Sequence, residues 1–336
     1  MMANPPDTPK PLVSVVIPTY NRPAYLKQAL LSVLQQTYPN FEVLVADDCS
    51  RENPHQLLDE LEDDRLHLYR QATNRGVGVN VTHALVQAQG KYIACLNDDD
   101  LWEPNFLEKL VPCLERHPEA SVAFCDYAVI DAEGRINPEK TVAQSQREGR
   151  TYLQAGLHQP FWEIGLIDHA VFCASATLVR REGIPWQDIQ KAGVFWDYFM
   201  VYLACRSGHA AYYCAHKLAR YRVHPQSENM LSGSRDARAK IRKGRAEVFC
   251  FETFLQDPRL QELSVYFRRQ LANAHATLGI GHLRLGQIAE ARPHLHHSLQ
   301  QRWLNPRAWV ALCLSYLPQP VAAPLVNMKN RFSEYS

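Results

Sequence analysis

The amino-acid sequence predicts an α/β fold, in which a mostly parallel sheet carries helices on both faces, followed by a C-terminal α-helical region. Over the first 130 residues, short apolar runs alternate with segments of helical periodicity. The apolar runs are nearly continuous, which is typical of parallel strands buried on both faces. After residue 232 the strand pattern stops and helical periodicity dominates.

The alternation can be followed element by element. The predicted strands are Leu12–Ile17, Phe41–Ala46, Arg65–Tyr69, Tyr92–Leu96 and Ser121–Ile130. The first helix begins near Pro23, because proline suits a first helical turn. A second helix covers Val77–Ala88, and a third begins near Pro104. This order is that of a doubly wound sheet.

The rest of the chain is less regular. We predict a strand over His169–Val179, a helix over Trp196–Arg206 and one or two strands over Ala211–Val223. Two antiparallel helices, Ala272–Gly286 and Ile288–Leu299, resemble a single tetratricopeptide-type hairpin. The predicted organisation is therefore a disordered tail over 1–11, an α/β domain over 12–231 and a helical region over 232–336.

Composition sets the class of protein. Of the 336 residues, 46% are hydrophobic and 21% are charged, and the formal net charge is +1. A chain of this length and composition buries a substantial core, which excludes an intrinsically disordered protein. The balanced charge indicates no nucleic acid partner. The nine cysteines lack CxxC spacing, which favours a reducing compartment, so we expect a cytoplasmic location, with the inner face of the membrane as an alternative.

Polar clusters follow three of the predicted strands directly. They are Pro18-Thr19-Tyr20-Asn21, Asp47-Asp48 and the run from Asn97 to Asp100. In open parallel sheets, ligands bind beyond the carboxyl ends of the strands. We therefore expect these clusters to form one site.

The run Asp98-Asp99-Asp100 places three acids at one strand end. Such a cluster is costly unless water solvates it or a cation neutralises it, and carboxylates select hard ions such as Mg²⁺ or Mn²⁺. The alternative is a solvated turn that caps the helix near Pro104. Asp48, Thr19 and Tyr20 leave a similar choice between ligand binding and ordinary turn or packing roles.

The chain also resembles a known family. The segments SVVIPTYNRPAYLKQALLSVLQQTYPNFEVLVADDCS, NRGVG…AQGKYIACLNDDDLWEPNFLEKL and YRVHPQS are similar to motifs of the family 2 glycosyltransferases, which have the GT-A fold. The resemblance is strong over residues 12–130, patchy to 227 and absent beyond. It implies an inverting, Mg²⁺- or Mn²⁺-dependent transfer of a sugar from a nucleotide-diphospho-sugar to an acceptor hydroxyl.

The resemblance also assigns roles to residues of this chain. A pocket for the nucleotide-sugar is implied for Pro18, Thr19, Tyr20, Asn21, Asp48 and Asp98, with metal ligation by Asp99 and Asp100. The sequence departs from the family at two positions. Asn97 stands where many members have an acid, and Val81 stands where many have a basic residue.

The reaction needs a base that removes the proton of the acceptor hydroxyl. The family places an acid at the start of a helix, and Asp197 is the matching residue. A helix N-terminus stabilises an ionised carboxylate, which suits a base. The alternatives are a helix-capping role for Asp197 and an acceptor-side role for Asp168-His169.

Two basic segments complete the candidate residues. Arg222 and His224, in YRVHPQS, are predicted to contact the diphosphate, with an exposed strand end as the alternative. The second segment is a set of basic residues at helical spacing, Arg235, Arg238, Lys240, Arg242, Lys243 and Arg245. Together with the tail Trp303–Phe332, which mixes apolar residues, prolines and basic residues, this segment is a candidate for peripheral membrane contact. The alternative is a helix face that only water contacts.

The predicted function is therefore an inverting glycosyltransferase of polysaccharide or glycolipid synthesis, with a saccharide or lipid-linked acceptor. Two alternatives stay open at this point. A sugar-phosphate nucleotidyltransferase would normally carry a glycine- and lysine-rich phosphate loop, where this chain has PTYNRP. A catalytically inactive nucleotide-sugar-binding or scaffold protein would use the helical region to recruit partners.

Overall fold

The structure is a computed structural model that describes residues 9–171, 174–227, 230 and 236–318. The chain divides into two compact units. The first comprises Met1–Gln190 and Trp196–Val223, and the second comprises Lys191–Phe195 and His224–Ser336. Residues 1–8 of the predicted tail and the predicted boundary after residue 231 lie outside the described residues.

The first unit contains a nine-stranded mixed sheet. Its strands are β1 (Val13–Thr19), β2 (Phe41–Asp47), β3 (Leu66–Arg70), β4 (Tyr92–Cys95), β5 (Leu101–Trp102), β6 (Ala120–Ile130), β7 (Gly156–His158), β8 (Thr177–Arg180) and β9 (Ala210–Arg222). The order is β3-β2-β1-β4-β8-β6-β9-β5, and β7 also pairs with β9. The pairs among β1, β2, β3 and β4 are parallel, as is β6 with β9.

Helices connect the strands of the first unit. They are α1 (Pro23–Leu34), α2 (His55–Leu61), α3 (Val77–Leu85), α4 (Phe106–Arg116), α5 (Pro138–Arg147) and α6 (Trp196–Arg206). Apolar side chains on one face of α1 and α4 pack against the strands in one continuous core. The predicted α/β class, with a mostly parallel sheet and a C-terminal helical region, is confirmed.

The predicted strand over His169–Val179 is wrong for most of its length. Among the described residues of this segment, only those of β8 form a strand, which runs antiparallel between β4 and β6. Before it, Ala174–Ala176 is a 3-10 turn, and His169 has a φ of 61°, in the left-handed region. The apolar run reflects burial, because apolar residues alone do not distinguish a strand from other buried segments.

The second unit is helical where the structure describes it beyond residue 235. Its long helices are α7 (Ala237–Gln256), α8 (Ser264–Arg284), α9 (Ile288–Gln301) and α10 (Pro306–Leu314). α8 and α9 overlap the two helices predicted over Ala272–Gly286 and Ile288–Leu299, although α8 begins earlier, at Ser264. A Cβ on Gly244 would lie 2.8 Å from the Cβ of Leu278, so this glycine lets α7 and α8 approach closely. Across the described ranges, no helix is long and apolar enough to cross a membrane.

A column of histidine rings lies along the contact between α8 and α9. The His275 ring stacks on His294 and His297, and the His282 ring stacks on His294. The Nδ1 atoms of His275 and His294 are 3.2 Å apart, a contact in which one neutral ring donates to the other. Burial, followed by the charges of His294 and His297, lowers the pKa of His275 to about 4.

This column makes the stability of the helical unit depend on pH. The pKa of His275 is about 4 when folded and 6.5 without these contacts, so the unfolded chain binds the proton more readily. Stability is therefore complete above pH 6.5 and falls as the pH decreases towards 4, by about 3 kcal/mol for this group. Hydrogen exchange of α8 and α9 in the full chain, expressed as protection factors at pH 7 and pH 5, measures the effect.

The matched pair of variants is His275→Gln and His296→Gln, since His296 is exposed on the same hairpin. The first should reduce the difference in protection between the two pH values, and the second should leave it unchanged. Equal loss of protection in wild type and His275→Gln would contradict the assignment to His275.

Candidate active site

The registers of the parallel strands bring the first and third polar clusters together. Val16 of β1 lies opposite Cys95 of β4, so three residues further on Thr19 comes beside Asp98. The Thr19 hydroxyl donates a hydrogen bond of 2.8 Å to Oδ2 of Asp98, and both side chains are buried. The predicted convergence of these two clusters at one edge of the sheet is therefore observed.

Arg22 connects two of the three acids. Its Nη1 lies 2.8 Å from Oδ2 of Asp99 and 3.1 Å from Oδ1 of Asp98. Burial and the adjacent charge of Asp99 raise the pKa of Asp98 to about 6, although Arg22 and Thr19 act in the opposite direction. The arrangement places one positive charge between two carboxylates. Arg22 is not among the residues predicted from the sequence, although it follows Asn21 directly.

Asp100 faces the interior of the first unit. Its Oδ2 accepts a 2.6 Å hydrogen bond from the Ser175 hydroxyl, and its Oδ1 accepts one of 2.8 Å from the backbone N–H of Arg222. The Asn97 side-chain amide also donates to Oδ2, at 3.3 Å. Burial and the charge of Asp99 raise the pKa of Asp100 to about 8. Both oxygens of Asp100 thus already accept hydrogen bonds. Asp100 therefore anchors the segment Asn97–Asp100, which we call the acidic loop.

Asp48 organises the segment that follows β3. Its carboxylate oxygens accept hydrogen bonds of 2.7 Å and 2.8 Å from the backbone N–H groups of Arg75 and Gly76. Gly76 has a φ of 85° at the start of α3, a conformation that favours glycine. Asp48 therefore fixes the turn of the NRG motif. Val81, one turn further along α3, is part of the core.

A cleft of about 1080 Å³ opens beside this edge of the sheet. Its walls come from the segments that follow β1 and β2, and they include Thr19, Asn21, Arg22, Ser50 and Arg51. The Asn21 backbone N–H donates to the Ser50 hydroxyl, and the Asn21 side chain accepts from the backbone of Arg51, which ties the two walls together. The volume suits a ligand the size of a nucleotide.

The two remaining residues of the first cluster differ in exposure. Pro18 is buried and lies opposite Ala46 in the β1–β2 register. Tyr20 is 46% exposed, so its ring is accessible to a ligand for stacking.

The Arg222 guanidinium holds the acidic loop from the side of β9. It donates to the Asp99 carbonyl at 2.6 Å, to the carbonyls of Asp131 and Ala132, and to Oε1 of Gln28 on α1 at 2.9 Å. The residue is 1% exposed. In this conformation Arg222 positions the backbone of the loop, and its predicted contact with a diphosphate stays a prediction. His224, which is buried, belongs to the second unit, and its role stays a prediction as well.

Asp197 lies in the first turn of α6, as the sequence predicts. Its Oδ1 accepts a 2.9 Å hydrogen bond from the backbone N–H of Tyr198, and burial raises the pKa of its carboxyl to about 7. The side chain keeps partial access to solvent. Its charge also raises the pKa of the Cys95 thiol, which places Asp197 near the end of β4.

Asp168 and His169, the alternative to Asp197, lie before β8. Burial and the charge of Glu163 raise the pKa of Asp168, whereas burial lowers that of His169 to about 4. The His169 ring packs against Tyr198, which follows Asp197. His169 is partly exposed, and the acceptor-side role of this pair stays a prediction.

The contacts of Arg222 predict a measurable loss of stability on substitution. Arg222→Lys keeps the charge but cannot reach Asp99, Asp131 and Gln28 together, because lysine lacks the planar fork. We expect the free energy of unfolding to fall by about 2–4 kcal/mol in urea denaturation followed by tryptophan fluorescence. Arg116→Lys, an exposed arginine at the end of α4, is the control and should change it by less than about 0.5 kcal/mol. If Arg222→Lys were as stable as wild type, the hydrogen bonds of the Arg222 guanidinium would not contribute to the stability of the fold.

The comparisons with known proteins agree with this geometry. TuaG of Bacillus subtilis, named as a teichuronic acid biosynthesis glycosyltransferase, is 35% identical over 127 residues, which are 37% of this chain and 50% of TuaG. WfgD of Escherichia coli, a glucosyltransferase by name, is 34% identical over 120 residues, which are 36% of this chain and 47% of WfgD. The chain thus spans about half the length of these relatives.

Solved structures share the fold at low sequence identity. Staphylococcus aureus TarS 1–349 in complex with UDP-GlcNAc is 17% identical, with a TM-score of 0.61 over 94% of this chain and 88% of that chain. The mannosyltransferase PcManGT of Pyrobaculum calidifontis, in complex with GDP-Man and Mn²⁺, is 17% identical, with a TM-score of 0.53 over 95% of this chain and 88% of that chain. The predicted GT-A fold is confirmed.

The sequence model described as "Glycosyl transferase family 2" matches residues 14–184. This segment is just over half of the chain and contains both the β1–α1 motif and the acidic loop. The protein therefore belongs to glycosyl transferase family 2.

Proposed function

We propose that this protein is an inverting glycosyltransferase, which moves a sugar from a nucleotide-diphospho-sugar to an acceptor hydroxyl in polysaccharide or glycolipid synthesis. The observation that carries the proposal is the convergence of Thr19, Asp98 and Asp99 beside a cleft of about 1080 Å³. Asp197, whose carboxyl lies near the same strand end, supplies the base.

The nucleoside part of the donor would occupy the cleft. Tyr20 offers an exposed ring at its edge, and Asn21 holds the two walls in place. Asp48 fixes the adjacent turn. Asp98, whose carboxylate accepts a hydrogen bond from Thr19, would contact the ribose or the metal–diphosphate.

The acidic loop fits a divalent cation with few protein ligands. Asp98 and Asp99 already direct oxygens at one positive centre, whereas both oxygens of Asp100 accept hydrogen bonds. In the described part of the chain, no group of three or more His, Cys, Asp or Glu side chains is arranged to hold a metal. Mg²⁺ commonly uses one or two carboxylates together with substrate phosphates, so this donor set suits an ion bound along with the diphosphate. Such an ion would stabilise negative charge on the departing diphosphate.

Asp197 would remove the acceptor proton. The acceptor oxygen attacks the anomeric carbon, the bond from that carbon to the diphosphate breaks, and the proton passes to the carboxylate of Asp197. A base is most effective when its pKa lies near the working pH, and burial brings that of Asp197 to about 7. The single displacement inverts the configuration at the anomeric carbon.

The names of the relatives support the substrate class. WfgD is named as a transferase of glucose from UDP-Glc to a diphosphoundecaprenol-linked sugar, and TuaG as an enzyme of teichuronic acid synthesis. TarS was solved with UDP-GlcNAc, and PcManGT with GDP-Man and Mn²⁺. A nucleotide-sugar donor, a saccharide or lipid-linked acceptor and a Mg²⁺ or Mn²⁺ cofactor are therefore our proposal for this chain.

The proposal predicts that Asp197→Asn separates binding from turnover. A nucleotide-sugar screen by calorimetry with Mn²⁺ first identifies the donor, and mass spectrometry then follows its hydrolysis or transfer. We expect Asp197→Asn to reduce turnover by about 10²–10⁴-fold, because the amide cannot take the proton, and to change donor affinity by less than about twofold. Wild-type turnover should decline as the pH falls below 7, since Asp197 must be ionised.

Asp64→Asn is the control, because Asp64 is exposed before β3. It should keep wild-type turnover. Undiminished turnover in Asp197→Asn would reject Asp197 as the base. Failure of wild type to bind any nucleotide-sugar would favour a scaffold protein, and synthesis of a nucleotide-sugar from a sugar phosphate and a nucleoside triphosphate would favour a nucleotidyltransferase.

A further inference from the structure

The acidic loop already holds a cation that belongs to the chain. One nitrogen of Arg22, Nη1, is within 3.1 Å of Asp98 Oδ1 and within 2.8 Å of Asp99 Oδ2. The two carboxylates have side-chain exposures of 6% and 12%, so water screens their mutual repulsion poorly. The guanidinium therefore offsets negative charge on both carboxylates.

A divalent ion would need these same oxygens. Mg²⁺ lies 2.0–2.1 Å from its oxygen ligands, and the Arg22 nitrogen stands at the point towards which both oxygens are directed. A guanidinium and a metal ion cannot both occupy that point, because they overlap sterically and repel each other. Arg22 also lines the cleft, which gives its side chain space on the side where a donor would bind.

We propose that Arg22 is a resident counter-cation of the acidic loop, which excludes a free divalent ion from Asp98 and Asp99 until a nucleoside diphosphate group arrives. The diphosphate supplies negative charge for both cations, so the guanidinium can leave the carboxylates and the metal can replace it. Arg22 is a positioning residue in this scheme. It makes metal binding depend on the donor, and the inference rests on the proposed function.

Arg22 also reduces the electrostatic repulsion between the two carboxylates. Without a cation, two adjacent carboxylates of low exposure would repel each other. Arg22 offsets that repulsion in the donor-free state.

Manganese binding tests the inference without an assay of activity. The signal of free aqueous Mn²⁺ in electron paramagnetic resonance disappears on binding, so titration of the full chain gives the affinity for Mn²⁺ alone and with UDP or GDP. We expect Arg22→Gln to bind Mn²⁺ alone at least about tenfold more tightly than wild type, because a competing positive charge is removed. UDP or GDP should tighten Mn²⁺ binding strongly in wild type and weakly in Arg22→Gln.

Three further variants keep the test decisive. Arg65→Gln removes an arginine that pairs locally with Asp63 and should bind Mn²⁺ as wild type does. Arg22→Lys keeps a charge without the fork and should bind Mn²⁺ alone with intermediate affinity. Arg22→Gln/Asp99→Asn should lose the gained affinity, which locates the ion at the acidic loop. Circular dichroism confirms that each variant is folded.

The outcomes separate this inference from the proposed function. Equal or weaker binding of Mn²⁺ alone by folded Arg22→Gln overturns the inference, as does tight binding that survives in the double variant. Wild-type binding of Mn²⁺ alone that is as tight as in the presence of UDP or GDP overturns it too. Absence of turnover with every nucleotide-sugar would overturn the proposed function, whereas the comparison with Mn²⁺ alone would still decide the role of Arg22.

Discussion

The acidic loop at the end of β4 is the constraint on which the site depends. Three consecutive carboxylates have low exposure at the edge of a sheet, where low dielectric strengthens their repulsion. Partners come from four other segments: Thr19 at the end of β1, Arg22 before α1, Ser175 before β8 and Arg222 at the end of β9. The surrounding architecture can be understood as the means by which these partners reach one short loop.

The three carboxylates of the acidic loop differ in their partners and therefore in their roles. Asp100 points into the protein and is bonded on both oxygens, so it anchors the loop. Asp98 and Asp99 carry negative charge on the other side of the loop, and Arg22, which lines the cleft, pairs with both. A loop that is held firmly from behind can present charge on its open side in a fixed geometry, which is what recognition of a charged ligand requires.

Local sequence was sufficient for much of this description. The helix α6 begins at Trp196 as its periodicity predicts, and the polar clusters after β1 and β4 meet because parallel strands end at the same edge. Arg22 and Ser175 were not predicted, because their importance depends on contacts with residues more than 70 positions away. The strand predicted over His169–Val179 was wrong because burial, without alternation, does not specify a strand.

The hydrogen bonds of Arg222 show that the residues that hold the acidic loop in place are spread widely along the chain. The family match ends at residue 184, yet the side chain that clasps the Asp99 carbonyl comes from position 222. A fragment that ended at residue 184 would retain the β1–α1 motif and the acidic loop but lose the YRVHPQS segment, which contains Arg222. The part of the chain that holds the acidic loop in place therefore extends beyond the segment that the family model matches.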